Sequence, residues 1–196
     1  IRDVERSLGL GDVYKRQLSY SMSSVETFEK RLAEFTGASY AVSVDCCTHA
    51  IELCFRLLEI KTCSFSAYTY ISVPMTMENL NVQYEMTDQQ WEGEYQFIGS
   101  NIWDSARCLK PNMYRSNQLQ CLSFGPGKPL ENIRGGAIIL DNVEQYKKLK
   151  AMSYDGRELG HEKWTQQKTF KQGFHYMMRY EAVSYTHLTL PTNREV

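Results

Sequence analysis

Three residues in this chain have the type and placement to act together chemically. Lys128 lies in the Gly/Pro-rich turn Ser123-Phe124-Gly125-Pro126-Gly127-Lys128-Pro129-Leu130, which is entered from the apolar run Leu119 to Phe124 and followed by Arg134-Gly135-Gly136. Asp104 follows the strand-like Asn101-Ile102-Trp103, and Thr48 follows the strand-like run Tyr40 to Val44. A lysine amine that is partly desolvated, or set beside another cation, is available as a nucleophile near neutral pH, and Arg134 is placed to lower its pKa. An aspartate can pair with a protonated ring nitrogen and keep a heterocycle acting as an electron sink. A strand-to-helix junction with free N–H groups and a Thr hydroxyl binds phosphate. These are the three contacts that pyridoxal phosphate needs. Taken singly, each residue has a duller explanation as a solvated turn lysine, an N-cap aspartate or a capping threonine. Their shared position after strands is what sets them apart.

The elements that must position them can be read from periodicity. Ser23-x-x-Glu26 is a capping box, Val25, Phe28, Leu32 and Phe35 follow at helical spacing, and Gly37 supplies a left-handed stop, which predicts a helix over 24–36. Tyr40 to Val44 reads as a buried strand and Thr48 to Leu58 as a helix. Ser64 to Tyr68, Val82 to Met86, Phe97 to Trp103, Leu119 to Phe124 and Ala137 to Leu140 read as further strands. Ile71 to Asn79 reads as a helix with Pro74 in its first turn. Val143 to Met152 is an amphipathic helix expected to carry Lys147, Lys148 and Lys150 on its exposed side. Strands alternating with helices imply an α/β fold of three layers, a mostly parallel sheet between helices. Ligands of such sheets bind beyond the carboxyl ends of the strands, so Thr48, Asp104 and the Ser123 to Lys128 turn are expected to meet on one rim.

Bulk properties narrow the classes. With 196 residues, 42% hydrophobic and 23% charged, the chain is long enough to bury a core. A formal net charge of −1 argues against a dedicated nucleic-acid binder, and no apolar run is long enough to span a bilayer. The six cysteines include no C-x-x-C pair and suit reduced, buried thiols in a cytoplasmic protein; the scattered His49, His161 and His175 do not suggest a metal site. Gly125-Pro126-Gly127-Lys128 is not a Walker loop, because Leu122 stands at its first glycine position and Pro129 replaces the Ser/Thr. Both chain ends look foreign. Residues 1–17 and 183–196 resemble translated sequencing-adapter DNA, which leaves 18–182 as the expected natural part, cut at both ends.

In order along the chain, several segments resemble the DegT/DnrJ/EryC1/StrS family of pyridoxal-phosphate-dependent sugar aminotransferases. Val25-Glu26-x-Phe28-Glu29 with Phe35-x-Gly37 resembles the family's opening helix, and Cys46-Cys47-Thr48-His49-Ala50 stands where it has Ser-Gly-Thr-x-Ala. Tyr68-Thr69-Tyr70-Ile71-Ser72 resembles its Thr-aromatic segment and Asp104-Ser105-Ala106 its Asp-x-Ala segment. Ser123-Phe124-x-x-x-Lys128-x-Leu130 with Gly135-Gly136-Ala137 is the most specific match, and Gly173-Phe174-His175-Tyr176-x-Met178 resembles the late Gly-Tyr-Asn-Tyr-Arg-Met motif.

The resemblance implies the large domain of a fold-type-I enzyme, its small C-terminal domain missing. It implies transfer of an amino group from an amino acid, glutamate, to a nucleotide-linked keto-sugar. Lys128 would hold the cofactor and shuttle protons, Asp104 would hold its ring nitrogen, and Tyr70 would stack on the ring. Ser123 and the backbone of Cys47, Thr48 and His49 would hold the phosphate, and Arg107 stands at the ring-oxygen position. His175 would reach the cofactor of a neighbouring subunit, which implies a homodimer with a shared site. Cys47 for Gly, Arg107 for His or Gln, and Met177 for Arg depart from the pattern. They keep open a binding or regulatory protein on the same fold; a sugar dehydratase is the other alternative, though its lysine position is commonly histidine.

Overall fold

The computed structural model describes residues 24–157, 167–168, 171–179 and 182. Helix α1 spans 24–36. It is followed by β1 (Tyr40–Val44), α2 (Cys47–Leu58), β2 (Thr62–Ser66), α3 (Ser72–Asn79) and β3 (Gln83–Thr87). Next come β4 (Tyr95–Gln96), β5 (Ile102–Asp104), β6 (Leu119–Ser123), β7 (Gly136–Leu140) and α4 (Val143–Ser153). The stop after α1 is the expected one: Gly37 has φ +78° and the Ala38 N–H donates to the Ala33 carbonyl at 3.0 Å. Ser23, the first residue of the capping box, lies outside the described residues, as do His161 and both terminal segments.

Five strands pair in the order β1-β7-β6-β5-β4, and β2 pairs with β3 in parallel. Two backbone bonds between Ser64 and Ile98, at 3.2 and 2.8 Å, tie β2 to the segment after β4. Strand β7 is antiparallel to both β1 and β6, while β5 and β6 are parallel. Hence β1, β5 and β6 all run one way, and their carboxyl ends share a rim. The sheet is mixed because β7 and the two-residue β4 run in the opposite direction. The expected single strand over Phe97 to Trp103 is instead a turn followed by β5. Gly99 has φ +92° and the Phe97 N–H donates to the Ile102 carbonyl at 3.0 Å, so the chain reverses there.

Period-two alternation along the strands fills two cores. Val42, Val44, Leu119, Cys121, Ile138 and Leu140 face α2, α3 and α4, where Phe55, Phe65, Phe97 and Met77 are buried. Ala41, Leu122, Ala137 and Ile139 face α1, whose Phe28 and Leu32 are fully buried with Phe124. Each buried large apolar side chain contributes roughly 1.5–3 kcal/mol. A typical hydrogen bond contributes only about 1 kcal/mol net. The phenylalanine clusters, and not polar links, therefore hold the layers together.

One polar link is the exception in kind. Lys150, expected on the exposed side of α4, turns inward and bonds both carboxylate oxygens of Glu29 at 2.7 and 2.8 Å. The same carboxylate accepts from the N–H and hydroxyl of Ser43 on edge strand β1, at 2.8 and 2.7 Å. Helical periodicity gives a lysine's face but not the carboxylate that waits for it across the sheet edge. Lys147 and Lys148 are exposed, as expected.

Candidate functional site

The site is built where β1, β5 and β6 end. Helix α2 begins immediately after β1, one residue earlier than expected, at Cys47. Cys46, the residue before it, gives no side-chain cap, and no acidic residue stands in the first turn. The first-turn N–H groups therefore keep their partial positive charge for something else. Thr48 does not cap its own helix; its hydroxyl lies 2.8 Å from that of Ser72 at the start of α3. Cys47 takes ordinary right-handed geometry, so a side chain at that position costs no backbone strain.

Strand β7 brings β6 to the same helix end. Ser123 pairs with Gly136, and a Cβ on Gly136 would lie 2.6 Å from the carbonyl carbon of Cys46 and the nitrogen of Cys47. Only glycine allows so close an approach. Ser123 is thereby held beside the uncapped turn of α2.

Asp104 ends β5 and is 6% exposed. Its Oδ2 accepts from the Tyr95 hydroxyl at 2.9 Å and its Oδ1 from the Ala106 N–H at 3.0 Å, with the Cys47 thiol 4.0 Å from Oδ1. Burial holds the Asp104 carboxyl above the usual carboxylate range, against those two hydrogen bonds and the charge of Lys128. Burial first, and then Asp104, push the Cys47 thiol well up, so it stays protonated. No described cation pairs directly with Asp104.

Lys128 is half-buried in a loop whose base is closed by the Phe124 N–H on Gly135 at 2.9 Å and the Asn132 N–H on Phe124 at 2.7 Å. Gly127, with φ +73°, makes the turn just before it. The charge of Lys128 lowers both Asp104 and Cys47, which places the ammonium within electrostatic reach of the two. Arg134 pairs with Asp45 at 2.9 Å.

The other expected site residues lie around this centre. His49 bonds Asp45 at 2.5 Å and stacks on Tyr176, with ring centroids 3.7 Å apart. Burial works against its charge, but hydrogen bonds to Asp45 and Cys46 outweigh that and raise its pKa to about 10. Asp45, Cys46 and His49 each place a metal-type ligand atom within 4.8 Å of the others. His49 and Arg134 already take the two oxygens of Asp45, so this cluster is internally ion-paired. Tyr70 is 75% exposed and Arg107 is exposed, neither with a side-chain hydrogen bond to Asp104. His175 is exposed and lies 3.2 Å from both Asp155 oxygens, near the end of α4. From its segment it is the neighbour Tyr176 that reaches the start of α2.

Sequence reasoning missed Tyr95, Thr69 and Ser72. A tyrosine in a short strand reads as packing, and nothing in local spacing shows that Tyr95 stands directly across from Asp104 in the β4–β5 pair.

Residues 4–90 match the model of the DegT/DnrJ/EryC1/StrS aminotransferase family, so the resemblance seen in the motifs is borne out there. No curated protein matches. Among solved structures, PseC of Helicobacter pylori, an aminotransferase involved in pseudoaminic acid biosynthesis, is 12% identical with a TM-score of 0.70, covering 84% of this chain and 56% of that one. NtdA of Bacillus subtilis with bound cofactor PMP is 17% identical with a TM-score of 0.69, covering 83% and 46%. DesI in the presence of its TDP-sugar product is 16% identical with a TM-score of 0.66, covering 85% and 52%. At such identities the likeness establishes the shared α/β fold. The chain spans about half the length of these structures.

Proposed function

With the family match over residues 4–90 as premise, we propose that this chain is the cofactor-binding part of a pyridoxal-phosphate-dependent aminotransferase. In this reading it moves an amino group from an amino acid, glutamate, to a nucleotide-linked keto-sugar. The observation that carries the reading is Asp104: a buried carboxylate without an ion-pair partner among the described residues, within electrostatic reach of half-buried Lys128 and next to Cys47 at the uncapped N-terminus of α2. The residues present fit the cofactor, since the close backbone approach at Gly136 sets Ser123 and the α2 N–H groups side by side as an anion cradle. The cofactor named with NtdA and the TDP-sugar named with DesI support the ligand classes.

When bound, the cofactor supplies an electron sink for charge that develops on the substrate carbon. The first-turn N–H groups of Cys47, Thr48 and His49, with the Ser123 hydroxyl, hold the phosphate. Asp104 would hold the ring through its nitrogen, and Tyr70 and Arg107 would be the further side chains offered to the ring. Lys128 anchors the group through its amine and moves a proton at the substrate carbon. His175 reaches across a homodimer to the partner's site.

The test is chemical labelling. The chain mixed with pyridoxal phosphate and reduced with borohydride gains mass on the peptide that contains Lys128, and Lys128→Ala does not. A folded chain that takes no label at Lys128 overturns the assignment.

A further inference from the structure

We propose that Tyr95, backed by Thr69, is the positioning residue that aims the Asp104 carboxyl into the site and stabilises its charged form against burial. The inference rests on the proposed function only for what Asp104 holds. Tyr95 and Asp104 are direct cross-strand partners in the antiparallel β4–β5 pair, so their side chains leave the sheet on the same face. Tyr95 is 2% exposed and its hydroxyl lies 2.9 Å from Asp104 Oδ2. The Thr69 hydroxyl lies 2.6 Å behind it, one residue before Tyr70 in the exposed segment after β2. Trp91 and Phe97 flank the tyrosine ring, with centroids at 5.1 and 5.5 Å, and fix its tilt.

The direction of this chain of hydroxyls follows from chemistry. A carboxylate can only accept, so Tyr95 donates to Asp104 and Thr69 donates to Tyr95. Burial and the charge of Asp104 push the Tyr95 hydroxyl up, so it remains a donor at any working pH. The other titratable groups facing Asp104 are Cys47 from α2, Cys121 from β6 and Lys128 from the loop after β6. The two thiols carry no charge near neutrality, and Lys128 would be engaged with the cofactor. Tyr95 is then the side-chain donor whose bond to the carboxylate persists through binding. Without it, burial would favour the neutral acid, which cannot pair with a ring cation.

The experiment follows the Asp104 carboxyl by carbon NMR in the cofactor-free chain, as wild type, Tyr95→Phe and Thr69→Val. Tyr95→Phe raises its titration midpoint by about one to two pH units, the weight of one hydrogen bond to a charged group. Thr69→Val raises it by less, in the same direction. Added pyridoxal phosphate then binds Tyr95→Phe more weakly than wild type, with the gap greatest where the pH falls below the raised midpoint. An unchanged midpoint in folded Tyr95→Phe overturns the proposal and leaves Tyr95 as packing alone. If Tyr95→Phe does not fold, an unchanged midpoint in Thr69→Val does the same. The midpoint needs no cofactor, so it succeeds or fails separately from labelling at Lys128.

Discussion

Glu29 and Asp104 are both buried carboxylates, 4% and 6% exposed, yet their surroundings differ in kind. Glu29 is saturated. Lys150 bonds both its oxygens, and the N–H and hydroxyl of edge residue Ser43 complete its set. That network clamps α1, β1 and α4 together and covers an edge strand whose unpaired N–H would otherwise invite another chain. Asp104 accepts one hydroxyl, one backbone N–H and a long thiol contact from Cys47, and its positive neighbour Lys128 acts only from a distance. A buried carboxylate with a lysine on both oxygens and two further donors is scaffold. A buried carboxylate with no direct ion pair suits a cationic ligand, and the ring nitrogen proposed above is one such cation.

Three substitutions put pressure on that contrast. The largest effect belongs to Lys150→Met, which leaves Glu29 buried and unpaired and lowers stability in urea unfolding by about 3–5 kcal/mol. A loss well under 1 kcal/mol would show that Glu29 is no true buried pair. Ser43→Ala removes one of the four hydrogen bonds to Glu29 and costs about 1–3 kcal/mol by the same measurement. The smallest change, and of opposite sign, is expected for Asp104→Asn. Burial holds the folded carboxyl above its unfolded value, so the folded chain binds the proton more tightly. Stability therefore falls as pH rises from the ordinary carboxylate value through the raised one. Asparagine removes that dependence. Asp104→Asn melts higher than wild type at neutral pH, and the gap closes below the ordinary carboxylate range. A variant that melts lower at neutral pH would place Asp104 with Glu29 as scaffold.

Much of the site could be foreseen because strand-to-helix alternation dictates where strand ends lie. Thr48, Asp104, Ser123 and Lys128 were separated in sequence, but each followed an apolar run, and parallel direction does the rest. What could not be foreseen depends on pairing across the sheet. Tyr95 faces Asp104 only because Gly99 turns the chain back into a β4–β5 hairpin. Lys150 finds Glu29 only because β1 is an edge, around which α4 and α1 can meet. Spacing set Arg134 near Lys128, but its pairing with Asp45, far away in sequence, comes from topology. Local pattern gives the period and the face. Partners from distant segments come from topology.

Strand β7 runs against β6, and this has a consequence for how such a protein can change. The loop that carries Lys128 leaves the rim from the end of β6 and returns to the same rim at the start of β7, with its base closed by two backbone bonds. Leu130 is packed in the core beside α1, but the exposed tip around Pro126 and Gly127 can vary in length at little cost, since the entropy of closing a loop grows only slowly with length. Lys128 thus sits on an insert, while Asp104 is fixed in the framework at the end of β5. Grafting a different loop tip between Phe124 and Gly135 would remake this part of the rim and leave the architecture in place.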